Sequence, residues 1–162
     1  MLARRAMCSI ALFGALLAAT IDEASAKGCS IKALDSCRDV SELSWDKSFP
    51  AAVRKFLGNR ADYNGPGQLV SEEALAFLWV PQGRQRIGDL WRFTGCQKHF
   101  CPDKGAIVFR PTGGVVAVAL FTGGTLSIFI HPSSISKRVT DNLSAWAKAE
   151  TGELDKIEII EP

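Results

Sequence analysis

Between residues 87 and 130 the chain passes through four short stretches rich in β-branched and aromatic residues, punctuated by turn signals, and no other feature constrains the fold as tightly. Residues 87–93 alternate with period two, and residues 106–110 form an apolar burst that ends at Pro111-Thr112-Gly113-Gly114. Residues 115–121 make a third stretch, and Thr122-Gly123-Gly124 turns the chain into a fourth over residues 125–130. Strands joined this closely pair in sequence and antiparallel, because a parallel pair needs a crossover of about a dozen residues or more. The expectation is a meander of about four to five strands, the fifth drawn from a weak alternation over residues 154–160 that would add an edge.

Helical periodicity flanks this block. Ser48 is placed to cap a helix with Pro50 in its first turn, and Phe49, Val53, Phe56 and Leu57 recur at helical spacing before Gly58 stops it. Ser71 with Glu72 and Glu73 behind it reads as a second cap, Leu75, Leu78 and Trp79 sharing one face before Pro81. The paired glutamates suit a solvated helix start better than acid–base chemistry. Asn64-Gly65-Pro66-Gly67 is a loop signal, and Pro132-Ser133 opens a last helix whose Ile135, Val139, Leu143, Trp146 and Ala147 would pack on the sheet. The fold class expected is α+β, an antiparallel sheet with helices packed on one face.

Residues 1–26 carry Arg4 and Arg5, an apolar run over residues 10–19, and Ala24-Ser25-Ala26 ahead of Lys27. That order predicts a secretory signal peptide cleaved after Ala26, its apolar run too short to span a membrane. A single exported domain over residues 27–162 is then expected, with no membrane segment left and Cys8 gone with the leader. Cleavage removes Arg4, Arg5, Asp22 and Glu23, so the net charge of +2 is unchanged. Without basic residues clustered on a stripe, nothing points to nucleic acid. Cys29, Cys37, Cys96 and Cys101 remain, an even number in an exported chain. Three pairings are open, and proximity favours Cys29 with Cys37 and Cys96 with Cys101. From residue 27 to 47 the pattern is mixed, a stapled and partly helical segment anchored by Leu34, Val40, Leu43 and Trp45.

Gly95-Cys96-Gln97-Lys98-His99-Phe100-Cys101-Pro102-Asp103 falls between the first two predicted strands and holds one of the two histidines. If Cys96 and Cys101 are oxidised to each other, the loop is a closed hairpin tip presenting Lys98 and His99. Closing so small a ring stabilises by about 2 kcal/mol in the chain-entropy model and lowers the entropy a partner must remove on binding. The plainer alternative is a structural staple with a solvated histidine. A zinc site from Cys96, His99 and Cys101 lacks a fourth ligand, and no glycine-rich phosphate loop or nucleophile–base pair is present, so no cofactor and no catalytic residue is expected. His131, beside Pro132 with no cysteine or histidine neighbour, reads as structural.

The strand ending Trp91-Arg92-Phe93-Thr94-Gly95, the loop Cys96-Gln97-Lys98-His99-Phe100-Cys101-Pro102, and the following Ala106-Ile107-Val108-Phe109 with Gly113-Gly114-Val115-Val116-Ala117-Val118 resemble the inhibitor of vertebrate lysozyme (Ivy) family. The family's typical loop is Cys-Lys-Pro-His-Asp-Cys, which Cys96, His99 and Cys101 match position for position, whereas Gln97, Lys98 and Phe100 depart from it. The resemblance implies a periplasmic, non-enzymatic inhibitor of c-type lysozyme that plugs the active-site cleft with the Cys96–Cys101 loop, His99 lying between the catalytic carboxylates. It leaves a homodimer open, since some members are dimers. The chemistry agrees: a lysozyme cleft holds two carboxyl groups about 5 Å apart, one kept as an acid and one ionised. An imidazole there gains charge-assisted hydrogen bonds, and Lys98 adds attraction to the same acidic cleft. Two alternatives stand beside it. One is a binding module of the same fold directed at another peptidoglycan-degrading enzyme, such as a lytic transglycosylase, or at an envelope protein. The other is an envelope enzyme or thiol oxidoreductase, disfavoured because the cysteines are not spaced Cys-x-x-Cys.

Overall fold

A single six-stranded sheet in the order β1-β2-β3-β4-β5-β6 organises the computed structural model, which describes residues 28–61, 67–152 and 154–162. The leader expected over residues 1–26, and Asn64, Gly65 and Pro66 of the expected loop, lie outside the described residues. The strands are β1 (Val80–Ile87), β2 (Leu90–Gln97), β3 (Phe100–Phe109), β4 (Val115–Thr122), β5 (Thr125–Ile130) and β6 (Lys156–Ile160). Neighbours from β1 to β5 pair antiparallel. The α+β class is as expected, with one strand more than the meander called for.

That additional strand is β1. Residues 87–93 are not one strand: Ile87 ends β1, Gly88 and Asp89 turn the chain, and Leu90 begins β2. The strand was hidden because it is an edge. It carries Pro81, Gly83 and charged residues, and only Ile87 is buried, so it lacks the half-buried alternation that marks an inner strand.

Helices cover both faces of the sheet, not one. Phe93, Ile107, Phe109, Val118, Leu120 and Phe129 meet α1 (Val40–Leu43), α2 (Ser48–Leu57) and α3 (Val70–Phe77) on one side. Ala106, Val108, Ala117, Leu126 and Ile128 meet Val139, Leu143 and Trp146 of α4 (Ser136–Thr151) on the other. The physical reason is that β3, β4 and β5 are apolar on both faces, and a sheet with no polar face must be covered twice. The α4 crossover also brings β6 back parallel to β5.

The N-terminal segment is fastened to the β1 edge. A 3-10 turn at Leu34–Ser36 is closed by the Cys29–Cys37 disulfide, and Arg84 of β1 donates to the carbonyls of Leu34, Asp35 and Cys37. Arg84 and Arg86 lie over the Trp91 ring at 4.5 and 4.1 Å, while Trp91 Nε1 donates to Asp35 at 3.0 Å. Asp39 caps α1 by accepting from the Ser41 and Glu42 amides. Burial alone would raise the Asp39 carboxyl, but those hydrogen bonds and the one from the Ser41 hydroxyl outweigh it and hold its pKa below the ordinary value. Asp46 is lowered in the same way: burial opposes, and hydrogen bonds from the Ser48 hydroxyl and the Ile31 and Ser48 amides prevail.

Two expected caps differ from what forms. Asp46, rather than Ser48, supplies the acceptor at the start of α2, taking the Ser48 amide at 2.9 Å. Ser71 does not cap α3. It is buried inside the first turn, with Leu69 at the cap position. Glu72 pairs with Arg54 of α2 at 2.7 Å and Glu73 is buried. Trp79 leaves the helix face expected for it and stands 64 % exposed between α3 and β1.

Candidate functional site: the disulfide-closed hairpin

The β2–β3 hairpin turns on two residues, Lys98 and His99, with Gln97 paired to Phe100 across the tip. The next pair down is Cys96 with Lys104, so Cys101, Pro102 and Asp103 bulge out of β3 without partners on β2. Pro102 fits such a place because it has no amide hydrogen to offer a ladder. The bulge brings the Cys101 Cα to 4.9 Å from that of Cys96, and the disulfide closes the tip. Both sulfurs are thereby spent, which removes the thiolates a zinc site would need. Cys96 is fully buried and anchors the staple in the sheet, Gln97 is half-buried, and Lys98, His99, Phe100 and Cys101 face solvent.

His99 has φ +69°, the one left-handed backbone among the described non-glycine residues. Left-handed φ is uncommon outside glycine, though histidine is enriched there with asparagine and aspartate. The six loop residues singled out from the sequence therefore share one tip. The Cys29–Cys37 pair lies elsewhere, on the N-terminal segment. His131, at the end of β5, packs edge-on against Phe56 at 5.5 Å and stands 3.9 Å from Glu161.

The base of the hairpin is fixed by glycine. Gly95 and Gly105 face each other across β2 and β3. A Cβ at Gly95 would stand 2.8 Å from the Leu78 Cα, and one at Gly105 would stand 2.9 Å from the Phe77 Cβ. The end of α3 can lie directly on the sheet only because both side chains are missing. That contact delivers Trp79 and Val80 beside the staple, with Val80 paired to Cys96 and Lys98 Nζ 5.8 Å from the Trp79 ring centre. Sequence reasoning missed both residues as part of the tip's surroundings. The available signal was Trp79 and Val80 directly ahead of Pro81, Gln82 and Gly83, where a helix cannot continue.

Among the described residues no group of three or more His, Cys, Asp or Glu is placed to hold a metal ion, and no helix is long and apolar enough to cross a membrane. What the site offers is a disulfide-closed, partly apolar protrusion carrying Lys98 and His99, on a sheet covered on both faces. The model of the Inhibitor of vertebrate lysozyme (Ivy) family matches residues 70–153, from α3 through the hairpin to the end of α4. The chain belongs to this family of extracytoplasmic lysozyme inhibitors, and lysozyme is the partner the family implies. No curated protein and no solved structure matches the chain.

Proposed function

We propose that the chain, exported and trimmed to a single domain over residues 27–162, inhibits a c-type lysozyme in the periplasm by inserting the Cys96–Cys101 hairpin into the active-site cleft. The observation that carries this is His99, exposed at the tip of a closed hairpin in a left-handed conformation that its covalent frame over-determines. A tip closed this way has already lost much of the backbone freedom that binding would otherwise remove. The imidazole reaches between the two carboxyl groups of the cleft and hydrogen-bonds to them; Lys98 supplies longer-range attraction; Gln97 and Phe100 contact the walls. No bond is made or broken in the inhibitor.

Inhibition should be stoichiometric, and an oligosaccharide that fills the cleft should be displaced competitively. Undiminished oligosaccharide binding in the saturated complex would sink the plug. The departures at Gln97, Lys98 and Phe100 from the family's typical loop favour one second reading, the same finger aimed at another wall-degrading enzyme. Running the titration with a lytic transglycosylase in parallel separates the two, and the mass of each complex reports whether the inhibitor acts as one copy or two.

A further inference from the structure

The hairpin tip is too small to account for a tight complex by itself. A specific interface buries on the order of 800 Å² from each partner, and the described tip offers only Lys98, His99 and Phe100 as fully projecting side chains ahead of the disulfide. The remainder must come from the surface that flanks the finger. On the β1 side that surface has an apolar start before the polar residues of the strand: Trp79 is 64 % exposed and Val80 is also exposed, next to a tip whose Phe100 is 55 % exposed. Large apolar side chains left in water beside a projecting loop mark a contact surface.

We infer that Trp79 is a second anchor for the same lysozyme, seated on an apolar part of the cleft rim while His99 occupies the floor. The inference rests on the plug reading, and continuity with the tip supports it. Val80 stands opposite Cys96 in the ladder, and Lys98 Nζ stands 5.8 Å from the Trp79 ring centre. Gly95 and Gly105 let the end of α3 lie against the base of the hairpin, so Trp79 and the finger are joined through one packed contact. Trp79 also lines, with Trp45, Phe49 and Leu75, a groove of about 700 Å³ beside α1, α2 and α3, which gives an apolar side chain of the partner somewhere to enter. Tryptophan is among the residue types enriched at the few positions that dominate such contacts, and the contacts around those positions exclude water. In the complex the indole would shield the His99 hydrogen bonds.

The test is binding kinetics of the full exported chain on a c-type lysozyme, with oligosaccharide competition read in parallel. Trp79→Ala should raise Kd ten- to a hundredfold through faster dissociation, with little change when salt is raised. Trp79→Phe should lose less than threefold. The Trp79→Ala loss should persist in a Lys98→Ala background; if it vanishes there, Trp79 merely positions Lys98 and the inference is overturned. Thermal unfolding of each variant guards against misfolding, and Trp79→Phe keeps the measurement informative should Trp79→Ala be unstable. Competition by the wild type together with an unchanged Kd for Trp79→Ala would overturn this inference alone. Absence of competition by the wild type would overturn the plug and this inference with it.

Discussion

Two small disulfide rings among the described residues serve different ends. Cys29–Cys37 spans eight positions and Cys96–Cys101 five, so the chain-entropy contribution of each is similar, about 2–3 kcal/mol. Around the first ring the backbone is tied to the protein although Lys32, Asp35 and Ser36 face solvent: Cys37 is buried, Arg84 takes up the carbonyls, and Asp39 and Asp46 take up nearby amides. Around the second, Cys96 alone is buried and the residues it closes point outward. Identical covalent chemistry thus fastens a loop to a fold in one place and stiffens a loop away from the fold in the other. What decides between them is where the neighbouring polar groups find partners.

The sharpest way to break this distinction is His99→Ala. If His99 bonds the cleft carboxylates, its removal should weaken lysozyme binding by about 2–4 kcal/mol, mainly in dissociation, with a smaller loss of stability because alanine tolerates the left-handed φ of +69° less well than histidine. A matching fall in stability would mean that His99 serves the fold. Next in size, Cys29→Ser with Cys37→Ser should lower unfolding stability by about 2–3 kcal/mol with affinity for lysozyme intact, as denaturant titration and binding would show together. Cys96→Ser with Cys101→Ser should instead cost affinity under conditions where the fold is fully populated, since a disordered tip must be reordered on binding. Equal behaviour of the two double variants would erase the difference.

How much of this was legible beforehand depended on burial. The β4 and β5 stretches were plain because strands buried on both faces read as short continuous apolar runs between glycine turns, and the α4 stripe because one face packs on the sheet and helical periodicity reports it. Helices on both faces were also implicit in the unbroken apolar run of β3, where Ala106, Ile107, Val108 and Phe109 are all buried. β1 was not legible, because an exposed edge strand has no inward face to impose a pattern. Ser71 misled because the sequence signature of a cap does not say whether the hydroxyl ends at the helix start or inside it. For the site, Cys96, His99 and Cys101 announced the finger, but Trp79 and Val80 reach it across a strand pair that the unread β1 creates.

Smaller effects sharpen the same contrast. Lys98→Ala should slow association a few-fold and flatten its dependence on salt, because its attraction acts over the screening length of about 8–10 Å, while dissociation changes little. Stopped-flow association at two ionic strengths would show it. Smallest is the pH effect at the N-terminal ring. Asp39 and Asp46 have folded-state pKa values below their ordinary ones. Their contribution is therefore complete above the ordinary carboxylate range near 4 and is lost as the pH falls through the lowered values. Asp39→Asn with Asp46→Asn should make unfolding stability less steep in acid than in the wild type, and a parallel pair of curves would count against the assignment.

The parallel pairing of β6 with β5 has a kinetic meaning. Every other strand contact joins neighbours across a tight turn, whereas this one must wait until the whole of α4 has been laid over the sheet. Loop closure makes such a contact slow to form, and the strand that makes it is short, with Ile157 and Ile159 largely in solvent. Amides of β6 should accordingly exchange with deuterium ahead of those in β2 through β5, so that the sheet opens at the edge opposite β1 and the finger stays folded while it does so.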